Sequence, residues 1–174
     1  ARARSAGRPG RRAGVDVVEF LTLDRSSFEY GASSTVAPFV HRVIAENPSK
    51  FTYHGTGTYI VGRPGGDVAV IDPGPLLDSH REALTAALAG RTVRAVLVTH
   101  CHSDHSPLAE WLCQTSGAPS VAFGPHGAVD GADDVEGVKI EESIDTAFDP
   151  DVRVADGDTA ATGPGFTLRA VHTP

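Results

Sequence analysis

The sequence contains no long apolar run. Its longest stretches of consecutive apolar residues, such as 68–71 and 95–98, are four residues long, whereas a helix that crosses a bilayer needs about 20. Runs this short are typical of β-strands. We therefore expect a chain without a membrane-spanning helix.

Cysteine is scarce too, with only Cys101 and Cys113 among 174 residues. Two cysteines are too few for the disulfide framework that holds small secreted domains together. We therefore expect a reduced, cytoplasmic protein. Its content of hydrophobic residues, 40%, is enough for one globular domain with its own core.

Basic residues are scarce outside the first 14 positions. Segment 1–14 holds five of the fifteen Lys and Arg residues and no acid, so the rest of the chain carries ten basic against twenty-two acidic residues. We predict that 1–14 is a disordered tail and that 15–174 belongs to one domain. An acid-poor transit peptide is the alternative for the tail. The acidic domain argues against a nucleic acid as the main partner.

Strand and helix patterns alternate from about residue 15, which predicts a mixed α/β domain built in layers. Residues 33–47 are predicted to be irregular because Pro38 would interrupt a helix, and 124–150 are predicted to form a long loop. Strands are predicted at 16–23, 57–62, 67–74, 94–100, 119–124, 152–158 and 165–173. The strands 57–62 and 67–74 are expected to pair as a hairpin.

Two helices are predicted between these strands. The first spans 78–90, with Asp78 or Ser79 as its N-cap and Gly90 as its C-cap. The second spans 106–117, with Ser106 as its N-cap and Pro107 at the first helical position.

Three histidines and one aspartate stand within six positions at the end of the predicted strand 94–100. Residues two apart in an extended segment point to the same side, so we expect His100 and His102 to aim at one point, with Asp104 following. His105 faces differently, at the entry to the second helix. One loop thus offers two adjacent metal positions, His100 with His102 and Asp104 with His105.

These side chains offer nitrogen and carboxylate-oxygen donors without a thiolate. Such donors suit zinc, while Mn and Fe stay open on ligand type alone. We therefore predict a site for one or two metal ions. The alternative is a polar loop whose histidines are solvated. Cys101, between two of the predicted ligands, is expected to point the opposite way.

The segment "THCHSDHS", 99–106, resembles the T-H-x-H-x-D-H signature of the metallo-β-lactamase superfamily. Three further stretches are similar to this family. "NPSKFTYHGTGTYIVG", 47–62, resembles the opening of the branch that contains β-lactamase-like protein 2 and glyoxalase II-like hydrolases, with Gly57 where Asn is usual. "VAVIDPG", 68–74, matches the I-D-x-G strand end, and 154–174 matches the segment that leads into T-P-G-H. The resemblance runs from about residue 46 to residue 174.

The resemblance implies an αββα sandwich, of which this chain holds the N-terminal part, with a mononuclear or dinuclear zinc site between the two sheets. It also implies that Asp72 lies beneath the histidine loop and accepts hydrogen bonds that hold the ligands. From the residues alone, Asp72 is equally well a turn-initiating aspartate before Pro73 and Gly74.

The remaining metal ligands implied by the resemblance fall beyond position 174. In T-P-G-H the ligand is the histidine after the glycine, so Thr173 and Pro174 match the first two positions and His172 is not a ligand. A sheet without its second half exposes an apolar face, so we expect a partner chain or a second copy to cover it. His41, His80 and His126 are predicted to be ordinary surface residues, and His54 lies either on the surface or in a substrate cleft.

The function implied by the resemblance is that of a metallo-hydrolase, an enzyme in which a metal-bound hydroxide attacks the substrate and Asp104 helps to orient it. The acidic domain and the branch favour a small-molecule acyl substrate, such as a thioester. The first alternative is an endoribonuclease that hydrolyses phosphodiesters. The second is a fragment that binds metal without catalysis.

Overall fold

The structure, a computed structural model, describes Ser26 and residues 28–127 and 143–173. Within these ranges the chain forms nine strands and two helices. In chain order they are β1 (Ser33–Ala37), β2 (Val40–Ile44), β3 (Gly57–Gly62), β4 (Asp67–Ile71), α1 (Asp78–Ala87), β5 (Thr92–Leu97), α2 (Leu108–Ser116), β6 (Ser120–Ala122), β7 (Val152–Arg153), β8 (Thr159–Gly163) and β9 (Phe166–Arg169).

Strands β1 to β7 form one sheet in chain order, and β8 and β9 form a separate antiparallel pair. The first four strands are antiparallel neighbours, whereas β4 to β7 run parallel. Parallel strands need a long crossover, and α1 and α2 supply it between β4 and β5 and between β5 and β6. The parallel strands therefore all end at the same edge of the sheet.

Both helices pack on one face of the large sheet. Leu84 of α1 and Leu108 and Leu112 of α2 are buried in one cluster with Val70 and Val96 from the central strands. Because side chains alternate between the two faces of a strand, the neighbouring residues of these strands point to the other face.

The pair β8–β9 packs on that second face. A smaller cluster joins Ala69, Ala95 and Val121 of the large sheet to Ala161 of β8 and to Leu168 of β9. Helices, a large sheet and a second small sheet thus lie in three layers, which confirms the mixed α/β prediction. The central strands are apolar because they are covered on both faces.

The rim of the second face remains apolar and exposed. Phe123 is 49% exposed and Val171 is 72% exposed. The expectation that another chain or a second copy covers this face stays a prediction.

The prediction of an irregular segment at 33–47 was wrong. Strands β1 and β2 form a hairpin there, in which Ala37 pairs with Val40. Pro38 lies in the turn, where its missing N–H costs no sheet hydrogen bond, and Phe39 follows it with φ of 62°. Proline before a residue with positive φ is typical of a tight turn.

The predicted helix caps were also wrong. Leu77 is the N-cap of α1, and no side chain caps this helix; Asp78 instead pairs with Arg81 at 2.6 Å. Leu88, not Gly90, is the C-cap of α1. Pro107 is the N-cap of α2, and the hydroxyl of Ser106, the predicted cap, donates to Asp145 at 2.7 Å instead. Both helices form at the predicted places, so packing of their apolar faces suffices to fix them.

Three sequence predictions lie wholly or partly outside the described residues: the tail 1–14, the strand 16–23 and the middle of the loop 124–150. The described part of that loop contains only an isolated bridge between His102 and Ile144. Strand β8 was missed, and β7 is shorter than the predicted strand 152–158. None of the helices in the described part of the chain is long and apolar enough to cross a membrane.

Candidate metal centre

The candidate site lies in the loop between β5 and α2, at the carboxyl edge of the parallel strands. Asp72 follows β4 directly, and its N–H donates to Leu97 O at the end of β5, at 2.8 Å. The two parallel strands therefore bring Asp72 beside the loop that carries His100, His102 and His105. Gly74 and His105 are joined as well, through Gly74 N–H and His105 O at 2.9 Å.

The three loop histidines lie together. The ring centroids of His100 and His102 are 4.6 Å apart, and those of His100 and His105 are 4.1 Å apart. Asp104 joins the group, since its Oδ2 is 3.2 Å from His105 Nε2. All four residues that the sequence indicated as metal ligands therefore share one neighbourhood, which we name the histidine cluster.

Asp72 anchors this cluster from below. Its carboxylate is buried, with Oδ1 accepting from Thr99 N–H and Oδ2 accepting from the Thr99 hydroxyl, both at 2.8 Å. The same Oδ2 lies 3.0 Å from His105 Nδ1. Asp72 also has φ of 50°, a conformation that is uncommon for non-glycine residues and that aspartate adopts more often than most.

The hydrogen bonds of Thr99 fix which nitrogen of His100 carries the proton. The single hydroxyl hydrogen of Thr99 goes to Asp72, because a carboxylate only accepts. His100 Nδ1, 2.9 Å from the same hydroxyl oxygen, must then be the donor. The neutral ring therefore keeps its lone pair on Nε2, the form in which histidine binds metal.

The electrostatic surroundings keep His100 neutral. Burial lowers the pKa of His100, and the neighbouring His105 and His102 lower it further, against the opposing charges of Asp72 and Asp104. A neutral imidazole at physiological pH is a metal ligand that need not lose a proton first.

His105 stands between two carboxylates. Its Nδ1 lies 3.0 Å from Asp72 Oδ2, and its Nε2 lies 3.2 Å from Asp104 Oδ2. Carboxylates only accept, and an imidazole that donates Nδ1–H to Asp72 keeps the lone pair of Nε2 beside Asp104. His105 and Asp104 therefore offer a nitrogen and an oxygen donor side by side, the kinds of donor that a metal ion such as zinc takes.

The possible metal ligands do not surround one point in this structure. Among Ser26, 28–127 and 143–173, no three His, Cys, Asp or Glu side chains are arranged so that they could hold one ion as they stand. In this arrangement the side chains of the histidine cluster contact one another and the carboxylates.

Thr56 is a site residue that sequence reasoning missed. Its hydroxyl donates to Asp104 Oδ2 at 2.6 Å, across 48 positions of sequence. The sequence did offer one signal for Thr56, since it lies within the stretch 47–62 that resembles the family.

The prediction that His80 is an ordinary surface residue was wrong. His80 is 2% exposed, and its Nε2 lies 2.9 Å from the hydroxyl of Thr58, which donates to Asp72 O at 2.7 Å. Burial lowers the pKa of His80 from 6.5 to about 4. His80 thus supports the backbone of Asp72 as a neutral side chain.

The other candidates lie apart from the cluster. The Cys101 thiol contacts Gly124 O at 3.7 Å, and burial raises the pKa of this thiol. Cys113 packs against the core, where burial raises its pKa to about 11. His172 stacks on Phe123, with centroids 6.0 Å apart. His54 packs beside Tyr53, with centroids 4.0 Å apart.

The sequence of the chain is similar to those of known proteins. The chain is 31% identical over 141 residues to an atrochrysone carboxyl ACP thioesterase of Cryptosporiopsis sp. (strain 8999), covering 80% of this chain and 37% of that protein. It is 34% identical over 142 residues to the atrochrysone carboxyl ACP thioesterase of Paecilomyces divaricatus, covering 80% and 38%. The chain thus spans less than half the length of these relatives.

Solved structures share the fold. A beta-lactamase from Chitinophaga pinensis superposes with a TM-score of 0.57 at 22% identity, covering 91% of this chain and 58% of that one. A metallo-beta-lactamase from Cronobacter sakazakii gives a TM-score of 0.56 at 22% identity, covering 80% and 53%. The profile of the metallo-beta-lactamase superfamily matches residues 54–174, which include the whole histidine cluster and Asp72. The chain belongs to the metallo-beta-lactamase superfamily.

Proposed function

We propose that this chain carries ligands of the metal centre of a zinc-dependent hydrolase that acts on a small acyl thioester. The observation that carries the proposal is the histidine cluster anchored on Asp72, with ring centroids 4.1 to 4.6 Å apart. The relatives named as thioesterases support the class of substrate. Residues 15–174 would then form part of one catalytic domain.

Each residue of the cluster has a role that follows from its position. His100, with its lone pair on Nε2, and His102 would hold one ion, while Asp104 and His105 would hold a second. Asp72 keeps the loop in place through both Thr99 hydrogen bonds. Zinc, when bound, supplies a Lewis acid and lowers the pKa of a water molecule toward neutrality.

Asp104 would also orient the attacking water. Its carboxylate only accepts hydrogen bonds, so a water beside it would turn a hydrogen toward Asp104 and keep its lone pairs available for the substrate. Asp104 is fixed on one side by Thr56, which restricts the directions in which it can accept.

A cavity beside the cluster suits an acyl group. It measures about 420 Å³ and opens between the large sheet and β8–β9, with Leu97, Val98, Val121, Phe123 and Leu168 among its apolar lining and Thr99 in its wall. Ligand pockets of about 300 to 1,000 Å³ with mostly apolar walls are typical of small-molecule sites. Thr99 in its wall bonds both Asp72 and His100, so the cavity is separated from the histidine cluster by one residue.

The test compares metal content and two reactions in protein expressed from its complete reading frame. We expect at least one zinc per chain, and release of thiol from an acyl N-acetylcysteamine thioester, detected with a thiol reagent. His102→Ala should lose both, whereas His41→Ala, in the β1–β2 hairpin, should retain both.

Three results would overturn the proposal. Equal zinc content in the wild type and His102→Ala would show that these are the wrong ligands. Cleavage of bis(p-nitrophenyl) phosphate in preference to the thioester would support the phosphodiesterase alternative. Wild-type protein that holds zinc but turns over neither substrate would favour a metal-binding protein without catalysis.

A further inference from the structure

A hydrogen-bonded pair in the loop before β3 reaches the histidine cluster from the opposite side to Asp72. Thr56 donates its hydroxyl hydrogen to Asp104 Oδ2 at 2.6 Å, and Asn47 lies next to Thr56. Thr56 is only 6% exposed. A substrate therefore cannot make substantial contact with it, and any effect of Thr56 on the reaction must pass through Asp104.

The direction of the Thr56 hydroxyl is fixed by its partners. The amide of Asn47 donates to Thr56 Oγ1 at 3.2 Å, and Thr56 N–H donates to Asn47 Oδ1 at 2.9 Å. With its oxygen accepting from Asn47, the hydroxyl is left to direct its one hydrogen at the Asp104 carboxylate, which only accepts. The pair thus presents a pre-aligned donor to Asp104.

The loop that carries Asn47 and Thr56 is itself held in place by hydrogen bonds. Thr52 Oγ1 donates to Asn47 O at 2.6 Å, and Ala45 N–H donates to Thr56 O at 2.9 Å. Gly55 has φ of 128°, and a Cβ there would lie 1.9 Å from Ala45 O and 3.1 Å from Asn47 Oδ1. Only glycine lets the backbone come this close to Asn47.

We propose that Asn47 and Thr56 are positioning residues that set the orientation of the Asp104 carboxylate for the metal centre. The Thr56 hydroxyl bonds Asp104 Oδ2, which fixes the rotation of the Asp104 carboxylate before any ion arrives. Asp104 Oδ1 is not engaged by Thr56. This proposal rests on the proposed function, because it assigns Asp104 a role at the metal. The bond between Thr56 and Asp104 also links the start of β3 to the loop between β5 and α2. The experiment must therefore separate an effect on the orientation of Asp104 from an effect on the stability of the fold.

The experiment measures zinc binding, by competition with a chromophoric chelator, in protein from the complete reading frame. Thr56→Val removes the hydroxyl and keeps the shape, whereas Thr56→Ser keeps the hydroxyl. We expect Thr56→Val to bind its weakest zinc about 10- to 100-fold less tightly, the range found when partners of metal ligands are removed. Thr56→Ser should restore the affinity, and kcat of Thr56→Val should fall while KM stays within about twofold.

A loop variant serves as the structural control. The Ser49 hydroxyl accepts from the N–H groups of Phe51 and Thr52 and therefore supports the same loop without touching Asp104. Ser49→Ala should lower the melting temperature without changing zinc affinity. Zinc affinity that is unchanged in Thr56→Val, or lowered equally in Ser49→Ala, would overturn the positioning role.

Failure of the proposed function has a different signature. A wild type that binds no zinc contradicts the metal centre as such, whatever the variants do. If Thr56→Val does not fold, Asn47→Ser replaces it, since this change removes the amide that orients Thr56 and leaves the hydroxyl in place. A smaller loss of zinc affinity is then expected, and an unchanged affinity overturns the proposal.

Discussion

Asp72 and His105 lie 3.0 Å apart, Oδ2 to Nδ1, at the point where the loop after β4 meets the loop after β5. The same carboxylate accepts two hydrogen bonds from Thr99. The Asp72 side chain therefore joins the two loops, which are also linked by the backbone bond from Gly74 to His105, and it lies beneath the histidines that we assign to the metal.

Replacing Asp72 with Asn should weaken both the fold and the metal site. Asn keeps the shape, but its amide nitrogen cannot accept from Thr99 or from His105. We expect the free energy of unfolding to fall by about 1 to 3 kcal/mol and zinc affinity to fall by about 10- to 100-fold. Urea unfolding and chelator competition measure the two effects.

Asp78→Asn provides the matched control for that change. Asp78 pairs with Arg81 on the exposed surface of α1, where an ion pair contributes about 0 to 1 kcal/mol. An equal loss of stability and zinc affinity in both variants would contradict the special role of Asp72.

His80 should make the fold sensitive to acid. Its pKa is lowered from 6.5 to about 4 by burial, so the unfolded chain takes up a proton first as the pH falls. The stability that neutral His80 contributes is present above about pH 6.5 and is lost progressively down to about pH 4. Between pH 7.5 and 5.0 this proton should cost about 2 kcal/mol of unfolding free energy.

The comparison with His80→Gln isolates that contribution. Gln keeps an N–H donor for Thr58 but does not titrate. Urea unfolding at the two pH values should show a smaller loss of stability in the variant than in the wild type, by about 2 kcal/mol. Identical losses would mean that His80 does not carry this dependence.

Gly74 should tolerate no side chain. It has φ of 95°, and a Cβ there would lie 2.8 Å from the ring of His80 and 3.3 Å from Thr58 Oγ1. Gly74→Ala would therefore combine a strained backbone, about 1 to 3 kcal/mol, with displacement of the two residues that support Asp72. Thermal unfolding and zinc titration measure the outcome.

Gly65→Ala separates backbone strain from crowding. Gly65 also has positive φ, 71°, but its Cβ would meet nothing within 4 Å. We expect Gly65→Ala to lose stability through strain alone and to keep its zinc affinity. A Gly74→Ala variant no less stable than Gly65→Ala would contradict the crowding at His80.

The parts of the site that lie close together in sequence could be predicted from it. His100, His102, Asp104 and His105 share one loop, so the pattern of residues was enough to bring them to one neighbourhood. The position of Asp72 followed from the resemblance to the family, and the structure adds the reason, since β4 and β5 are parallel and end side by side.

The parts that depend on distant contacts could not be predicted in the same way. Thr56 reaches Asp104 across 48 residues, and His80 reaches Thr58 across 22. Neither threonine nor a single histidine carries a local signal for such a partner. Pro38 was misread for a related reason, because its effect depends on whether the chain turns there or continues as a helix.

The most direct test of the metal centre is a long-range ¹⁵N NMR spectrum of the histidine rings, recorded before and after addition of zinc. We predict that His100 keeps its proton on Nδ1 throughout, while the resonances of His100 Nε2 and of one His102 nitrogen shift on addition of zinc and return with a chelator. Ring resonances of His100 and His102 that do not respond to stoichiometric zinc would contradict the assignment of these residues as ligands.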